Sequence, residues 1–170
     1  MTAVPVVIWI TSTLTGEEHD QFMPGKATVL LVEDSADDEA LAVRALQKHR
    51  LANEIVVARD GAEALAYLEG ARTRISHGLP GLPQVVLLDL KLPKVDGLEV
   101  LEHIRRNEET KLLPVVVMTS SREERDLVES YRLGANSYVR KPVDFDQFSE
   151  AVRQLGLYWL VLNESPPDQR

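Results

Sequence analysis

Cysteine is absent from the 170-residue chain. That excludes disulfides, thiolate metal sites and thiol catalysis, and it fits a reducing compartment such as the cytoplasm. Positive charge is also scarce: 19 Lys and Arg against 27 Asp and Glu leave a net charge of −8. Binding along a phosphate backbone needs a basic face, which argues against nucleic acid as the direct partner. No membrane span is expected either. The apolar run from Val4 to Ile10 is far short of the roughly 20 residues a membrane helix needs. No basic residue precedes it and no convincing cleavage site follows, so it does not read as a signal peptide. Internal repeats and low-complexity stretches are missing too. What remains, 44% hydrophobic and 27% charged, is the composition of a soluble globular domain with a real core.

The first 22 residues fit poorly with the remainder, and Met23-Pro24-Gly25-Lys26 looks like a natural beginning. Residues 1–26 are therefore expected to be an N-terminal extension, a loosely ordered arm or a mis-assigned start rather than an extra edge strand. The domain is expected over 27–162. The polar, proline-containing tail, 163–170, is expected to fray.

Within the domain, apolar runs alternate with helical patterns. Strands are expected at 28–32, 55–58, 84–88, 115–118 and 137–139. Helices are expected at 36–48 after the Ser35 cap, after Asp60, after the Pro93/Gly97 turn, at 122–132 closed by Gly134, and from about 144 to 160. Residues 71–83, with two glycines and two prolines, read as a long loop. Five βα units imply an α/β fold, a doubly wound parallel sheet with helices on both faces.

The chemistry gathers at strand ends. The most apolar run, Val85-Val86-Leu87-Leu88, ends in Asp89. Such a buried parallel strand delivers its last residue to the carboxyl edge of the sheet, where ligands bind. Asp89 is thus a candidate nucleophile or metal ligand. Glu33 and Asp34 follow the first strand, Thr119 the fourth, and Lys141 the fifth. Alone, an acidic pair is a turn or helix cap, and a lysine before a proline is a surface residue. Together, converging carboxylates are costly unless a cation neutralises them. Oxygen ligands with few supplied by protein suit Mg²⁺. The four histidines (19, 49, 77, 103) are scattered without metal-ligand spacing.

The order acidic pair, aspartate, hydroxyl, lysine resembles the receiver domain of two-component response regulators. The matching stretches are Leu31-Val32-Glu33-Asp34, Leu87-Leu88-Asp89, Leu92-Pro93 with Asp96-Gly97, Met118-Thr119-Ser120, Gly134-Ala135, and Tyr138 through Lys141-Pro142. The resemblance covers about residues 27–160, and its motifs are each weak alone but specific jointly. The resemblance implies a flavodoxin-like strand order, 2-1-3-4-5. It implies Asp89 as phosphoacceptor for a histidine kinase or phosphotransfer protein. It implies Mg²⁺ held by Asp34, Asp89 and the Lys91 carbonyl, with Glu33 acting through water. It further implies Lys141 on the phosphoryl group with a cis Lys141-Pro142 bond, and a switch pair of Thr119 and Tyr138. In that family, positions two residues beyond the aspartate and the hydroxyl flank the path of the hydrolytic water, so the resemblance implies that Lys91 and Ser121 tune the phosphoryl lifetime.

No effector domain is expected after residue 160, so output would run through protein contacts, dimerisation or phosphate relay, with a relay intermediate or sink as an alternative role. In the last helix Phe148, Val152, Leu155, Trp159 and Leu162 form one stripe, while Leu157, Tyr158, Leu160 and Val161 lie beside it. A helix apolar nearly all round buries a second face. A homodimer through the 122–162 face is expected; packing of residues 4–10 on the helix is the rival. The 71–83 loop and the Gly156-Leu157-Tyr158-Trp159 ending are similar to those of the cyanobacterial phytochrome response regulators, which implies a phytochrome-type kinase upstream. Two other functions compete. A Mg²⁺-dependent aspartyl phosphohydrolase would want a second acid at position 91, where lysine stands. A receiver that has lost phosphate acceptance would lack site residues that this chain retains.

Overall fold

The computed structural model describes residues 6–9, 28–49, 54–79 and 81–164. Strands β1 (Val6–Trp9), β2 (Thr28–Val32), β3 (Glu54–Ala58), β4 (Val85–Leu88), β5 (Val115–Thr119) and β6 (Ser137–Arg140) form one sheet. Helices α1 (Ala36–Lys48), α2 (Gly61–Glu69), α3 (Ala71–Ser76), α4 (Gly97–Arg106), α5 (Glu124–Arg132) and α6 (Phe145–Leu157) cover it. The spatial order is β1-β3-β2-β4-β5-β6. Strands β2 to β6 are all parallel, so this part of the sheet has the expected doubly wound order.

The period of two along each strand divides the core. Leu30, Val32, Val86, Leu88, Val115 and Val117 face one side, where α2 and α4 supply Ala64, Leu68, Val100, Leu101 and Ile104. Val29, Leu31, Val85, Leu87, Val116 and Met118 face the other, where α1 and α6 supply Ala42, Leu46, Phe148 and Val152. Burial on both faces explains why the central strands read as unbroken Val/Leu runs rather than alternating ones.

The expected caps form. Ser35 Oγ accepts from the Asp38 N–H at 3.3 Å, and Asp60 Oδ1 from the Glu63 N–H at 2.8 Å. Asp96 caps α4, and its own N–H donates in return to Glu99 Oε2 at 3.1 Å, a capping box worth of the order of 1 kcal/mol. Gly134 closes α5 with φ +91°, a left-handed turn that favours glycine.

Four expectations are corrected. Val6–Trp9 is an edge strand, paired antiparallel with β3 (Val6 opposite Val57, Trp9 opposite Glu54); β3 would otherwise expose an unpaired edge. The remaining residues of the expected 1–26 extension, and those from 165 on, lie outside the described residues. The 71–83 segment is not all loop, since α3 occupies its first half. Its glycines and prolines all lie from residue 78 onward, and Arg74 anchors the following turn by donating to Gly81 O at 2.6 Å while lying 3.7 Å over the Tyr67 ring. The Lys141-Pro142 bond is trans, the form a prolyl bond favours slightly even without help.

The fourth correction concerns the end of α6. From Tyr158 to Leu162 the chain winds as a π-helix, with the Asn163 N–H donating to Tyr158 O at 2.7 Å. The wider turn moves the apolar stripe out of phase. Leu155, Trp159 and Leu160 pack on the core, while Leu162 is 65% exposed. Tyr158 and Val161 are exposed beside it, as are Val128 and Tyr131 on α5.

Candidate functional site

The site residues leave the carboxyl ends of four strands. Glu33 and Asp34 follow β2, Asp89 follows β4, Thr119 ends β5, and Lys141 follows β6. Backbone bonds fix these departures. The Asp89 N–H donates to Val32 O at 3.0 Å, the Glu33 N–H to Ala58 O at 2.9 Å, and the Lys141 N–H to Thr119 O at 2.9 Å. The loop after Asp89 is closed by Gly97, whose N–H donates to Leu90 O at 2.9 Å. A Cβ at 97 would sit 2.2 Å from Asp89 O and 2.6 Å from the Leu90 Cα. Only glycine lets this backbone lie so close to the aspartate.

Lys141 Nζ is the centre of the cluster. It donates to Glu33 Oε2 at 2.5 Å, Asp89 Oδ2 at 2.6 Å and Asp38 Oδ2 at 2.9 Å. Its side chain is only 5% exposed. Burial pulls its pKa down, yet the bonds it donates to Asp89, Glu33 and Asp38 outweigh that and hold its pKa above the ordinary lysine value. Glu33 is the counterpart. Burial pushes its carboxyl up to about 7, against the opposing pull of Lys141 and with further help from the Asp89 charge. Desolvation is the larger cause, and the negative charge that one ammonium leaves uncompensated among three acidic groups acts in the same direction.

Glu33, Asp34 and Asp89 offer oxygen atoms that all lie within 4.8 Å of one another. Glu33 and Asp89 are buried and Asp34 is exposed, so the group opens to water on one side. A hard, partly hydrated divalent cation fits such a donor set.

The outer part of the site is built around Ser121. Its N–H donates to Thr119 Oγ1 at 3.2 Å, its Oγ to Asp126 Oδ2 at 2.6 Å, and its carbonyl accepts from Tyr138 OH at 3.5 Å. Thr119 is fully buried, and Tyr138 is half-buried against the α2/α4 core. Lys91 reaches the same group: its N–H donates to Asp89 Oδ1 at 3.2 Å and its Nζ lies 3.4 Å from Asp126 Oδ2. The Ser121 hydroxyl, with Lys91 behind it, holds the Asp126 carboxyl below the usual carboxylate range.

All the residues singled out in the sequence therefore fall in one region. Two were missed. Asp38 lies in the first turn of α1, and Asp126 in the first turn of α5. An acid in a first helical turn normally serves the helix dipole, so nothing local separates these from Asp37 or Glu124. Described histidines stay outside the cluster; His77 and His103 are exposed.

The carboxyl edge of the parallel strands thus gathers three acids, a hydroxyl and a lysine in one small charged site. A model of the response regulator receiver domain matches residues 29–153. The probable methanogenesis regulatory protein FilR2 of Methanothrix harundinacea is 43% identical over 88% of this chain and 91% of its own. Response regulator Rcp1 of Synechocystis is 38% identical over 83% of this chain and 93% of its own. The Mn²⁺-bound structure of Rcp1 superimposes with a TM-score of 0.74, covering 83% of this chain and 99% of Rcp1. The bacteriophytochrome response regulator AtBRR is 56% identical over 83% of this chain and 100% of its own, with a TM-score of 0.63. The chain belongs to the response regulator receiver family. It acts in phosphorylation-based two-component signalling, and it is related to the phytochrome response regulators. No helix among the described residues is long and apolar enough to cross a membrane.

Proposed function

We propose that Asp89 is the phosphoacceptor of a cytoplasmic response regulator served by a histidine kinase or phosphotransfer protein. The observation that carries this is the 2.6 Å contact between Lys141 Nζ and Asp89 Oδ2 at the open edge of the acidic cluster. An Asp89 oxygen attacks the phosphorus of a phosphohistidine, the P–N bond breaks, and the imidazole leaves with the electron pair. The cluster of Glu33, Asp34 and Asp89 would hold Mg²⁺, with the Lys91 carbonyl as a further ligand, and the cation would offset charge on the transferring group. Lys141 is placed to follow the new phosphoryl oxygens with little movement. Thr119, released from the Ser121 N–H, can donate its hydroxyl to them, and Tyr138 is coupled to that change through the Ser121 carbonyl. Water attack on phosphorus later cleaves the P–O bond and restores the carboxylate; Lys91 and Ser121 stand where they can tune that rate.

A phytochrome-type kinase as donor is supported by the likeness to Rcp1 and AtBRR. Output through a homodimer is supported by the exposed Val128, Tyr131, Tyr158, Val161 and Leu162 on α5 and the helix end. Light scattering with and without phosphorylation tests this, and a monomer in both states contradicts it. For the transfer itself, label moved from a phosphorylated histidine kinase should appear on the chain and then decay to inorganic phosphate. Turnover of small phosphate esters with no labelled chain would point to a hydrolase instead.

A further inference from the structure

The Asp126 carboxylate belongs to no role assigned so far. It is 6% exposed, and one of its oxygens, Oδ2, serves both Ser121 Oγ at 2.6 Å and Lys91 Nζ at 3.4 Å. Its other oxygen lies 3.7 Å from the Arg125 guanidinium. Three elements meet on this side chain: the loop after β4 through Lys91, the loop after β5 through Ser121, and α5 itself. Ser121 in turn bonds Thr119 and Tyr138. The buried carboxylate holds the Ser121 hydroxyl closely at 2.6 Å, while its contacts with the exposed Lys91 and Arg125 side chains are longer and looser.

Lys91 is the movable partner. Its side chain is 52% exposed, its stem is flexible, and its backbone N–H already touches Asp89. A groove of about 330 Å³, lined in part by Lys91, Asp96, Arg125 and Asp126, leaves the ammonium room to turn. A dianionic phosphoryl group on Asp89 is a competing anion within reach of the same residue.

We infer that Asp126 is a positioning residue that draws the Lys91 ammonium away from the phosphoryl group and so keeps the approach of the hydrolytic water open. Asp126 thereby sets how Lys91 divides its time between two anions, and it anchors the Ser121 loop that carries the switch contacts. The inference rests on Asp89 being the phosphoacceptor. With Asp126 neutralised, Lys91 transfers to the phosphoryl group, stabilises it and obstructs the water.

The test is the rate at which phosphate is lost from the full chain after labelling with acetyl phosphate and Mg²⁺. Asp126→Asn keeps the size of the side chain and an acceptor for Ser121 Oγ. It should slow the loss between about twofold and fivefold, the factor a partly exposed ion pair supplies. Lys91→Ala, an exposed change that spares the core, should speed the loss. Asp126→Asn combined with Lys91→Ala should match Lys91→Ala alone. A general effect of lost charge or altered packing would persist in the double variant, and that result overturns the proposal. So does a rate for Asp126→Asn within error of the parent. Absence of any adduct on the parent chain would instead contradict the phosphoacceptor reading, before Asp126 is at issue.

Discussion

Lys141 Nζ lies 2.6 Å from Asp89 Oδ2 and 2.5 Å from Glu33 Oε2, in a side chain that is 5% exposed. The lysine thus already stands where a phosphoryl oxygen on Asp89 would need a cation, and it keeps the acidic edge of the sheet together in the meantime.

Removing the ammonium leaves Glu33, Asp38 and Asp89 facing one another. Lys141→Ala should destabilise the metal-free protein at neutral pH by about 2 kcal/mol. This is below the usual figure for breaking a buried pair, since the Asp38 side chain is 36% exposed and water can rehydrate it. Saturating Mg²⁺ should recover part of the loss, because a second cation then serves the same carboxylates. Urea unfolding with and without Mg²⁺ measures both; a deficit indifferent to the cation would show that the cluster does not bind it.

Glu33 gives a pH dependence with a definite sign. Its carboxyl is pushed up to about 7 from 4.5, so between those values the folded chain holds a proton that the unfolded chain has released. The Glu33 contribution to metal-free stability is therefore full below about pH 4.5 and declines as pH rises towards 7. Cation binding favours the ionised form, so Mg²⁺ affinity should climb with pH and level off above 7, with proton release on binding near pH 6.5. Calorimetry in two buffers of different ionisation enthalpy detects that proton. Glu33→Gln should abolish the release, and an unchanged release in that variant would assign the proton elsewhere.

Gly97 is a steric prediction. Alanine there would press its methyl group against Asp89 O and the Leu90 Cα, so the loop that begins at Asp89 must move. Gly97→Ala should cost about 2–3 kcal/mol, the upper range for overpacking against backbone, and should slow phosphorylation more than a surface variant of equal stability. Equal slowing in both would reduce the effect to stability alone.

How much of this was legible in the sequence depended on whether the signal was local. The Val/Leu runs and their terminal residues located β2, β4 and β5 with Glu33, Asp34, Asp89 and Thr119, because a buried parallel strand writes its own burial into composition. Ser35 and Asp60 announced their helices by the cap chemistry each performs, and the Pro93/Gly97 turn announced α4, whose Asp96 cap only the structure showed. Asp38 and Asp126 were illegible, since each acts across the sheet edge while looking like an ordinary first-turn acid. The phase slip after Tyr158 was hidden as well: a regular helical wheel puts Leu162 inward, and only the π turn brings Leu160 in its place. Strand β1 escaped because its pairing with β3 depends on an edge formed about 50 residues away in sequence, the sort of non-local contact that local pattern does not encode.

The central claim is that Asp89 takes the phosphoryl group. The most direct measurement is the intact mass of the chain after incubation with acetyl phosphate and Mg²⁺, beside an Asp89→Asn control. One phosphoryl group on the parent and none on the variant is the predicted result; an equal adduct on both would contradict it.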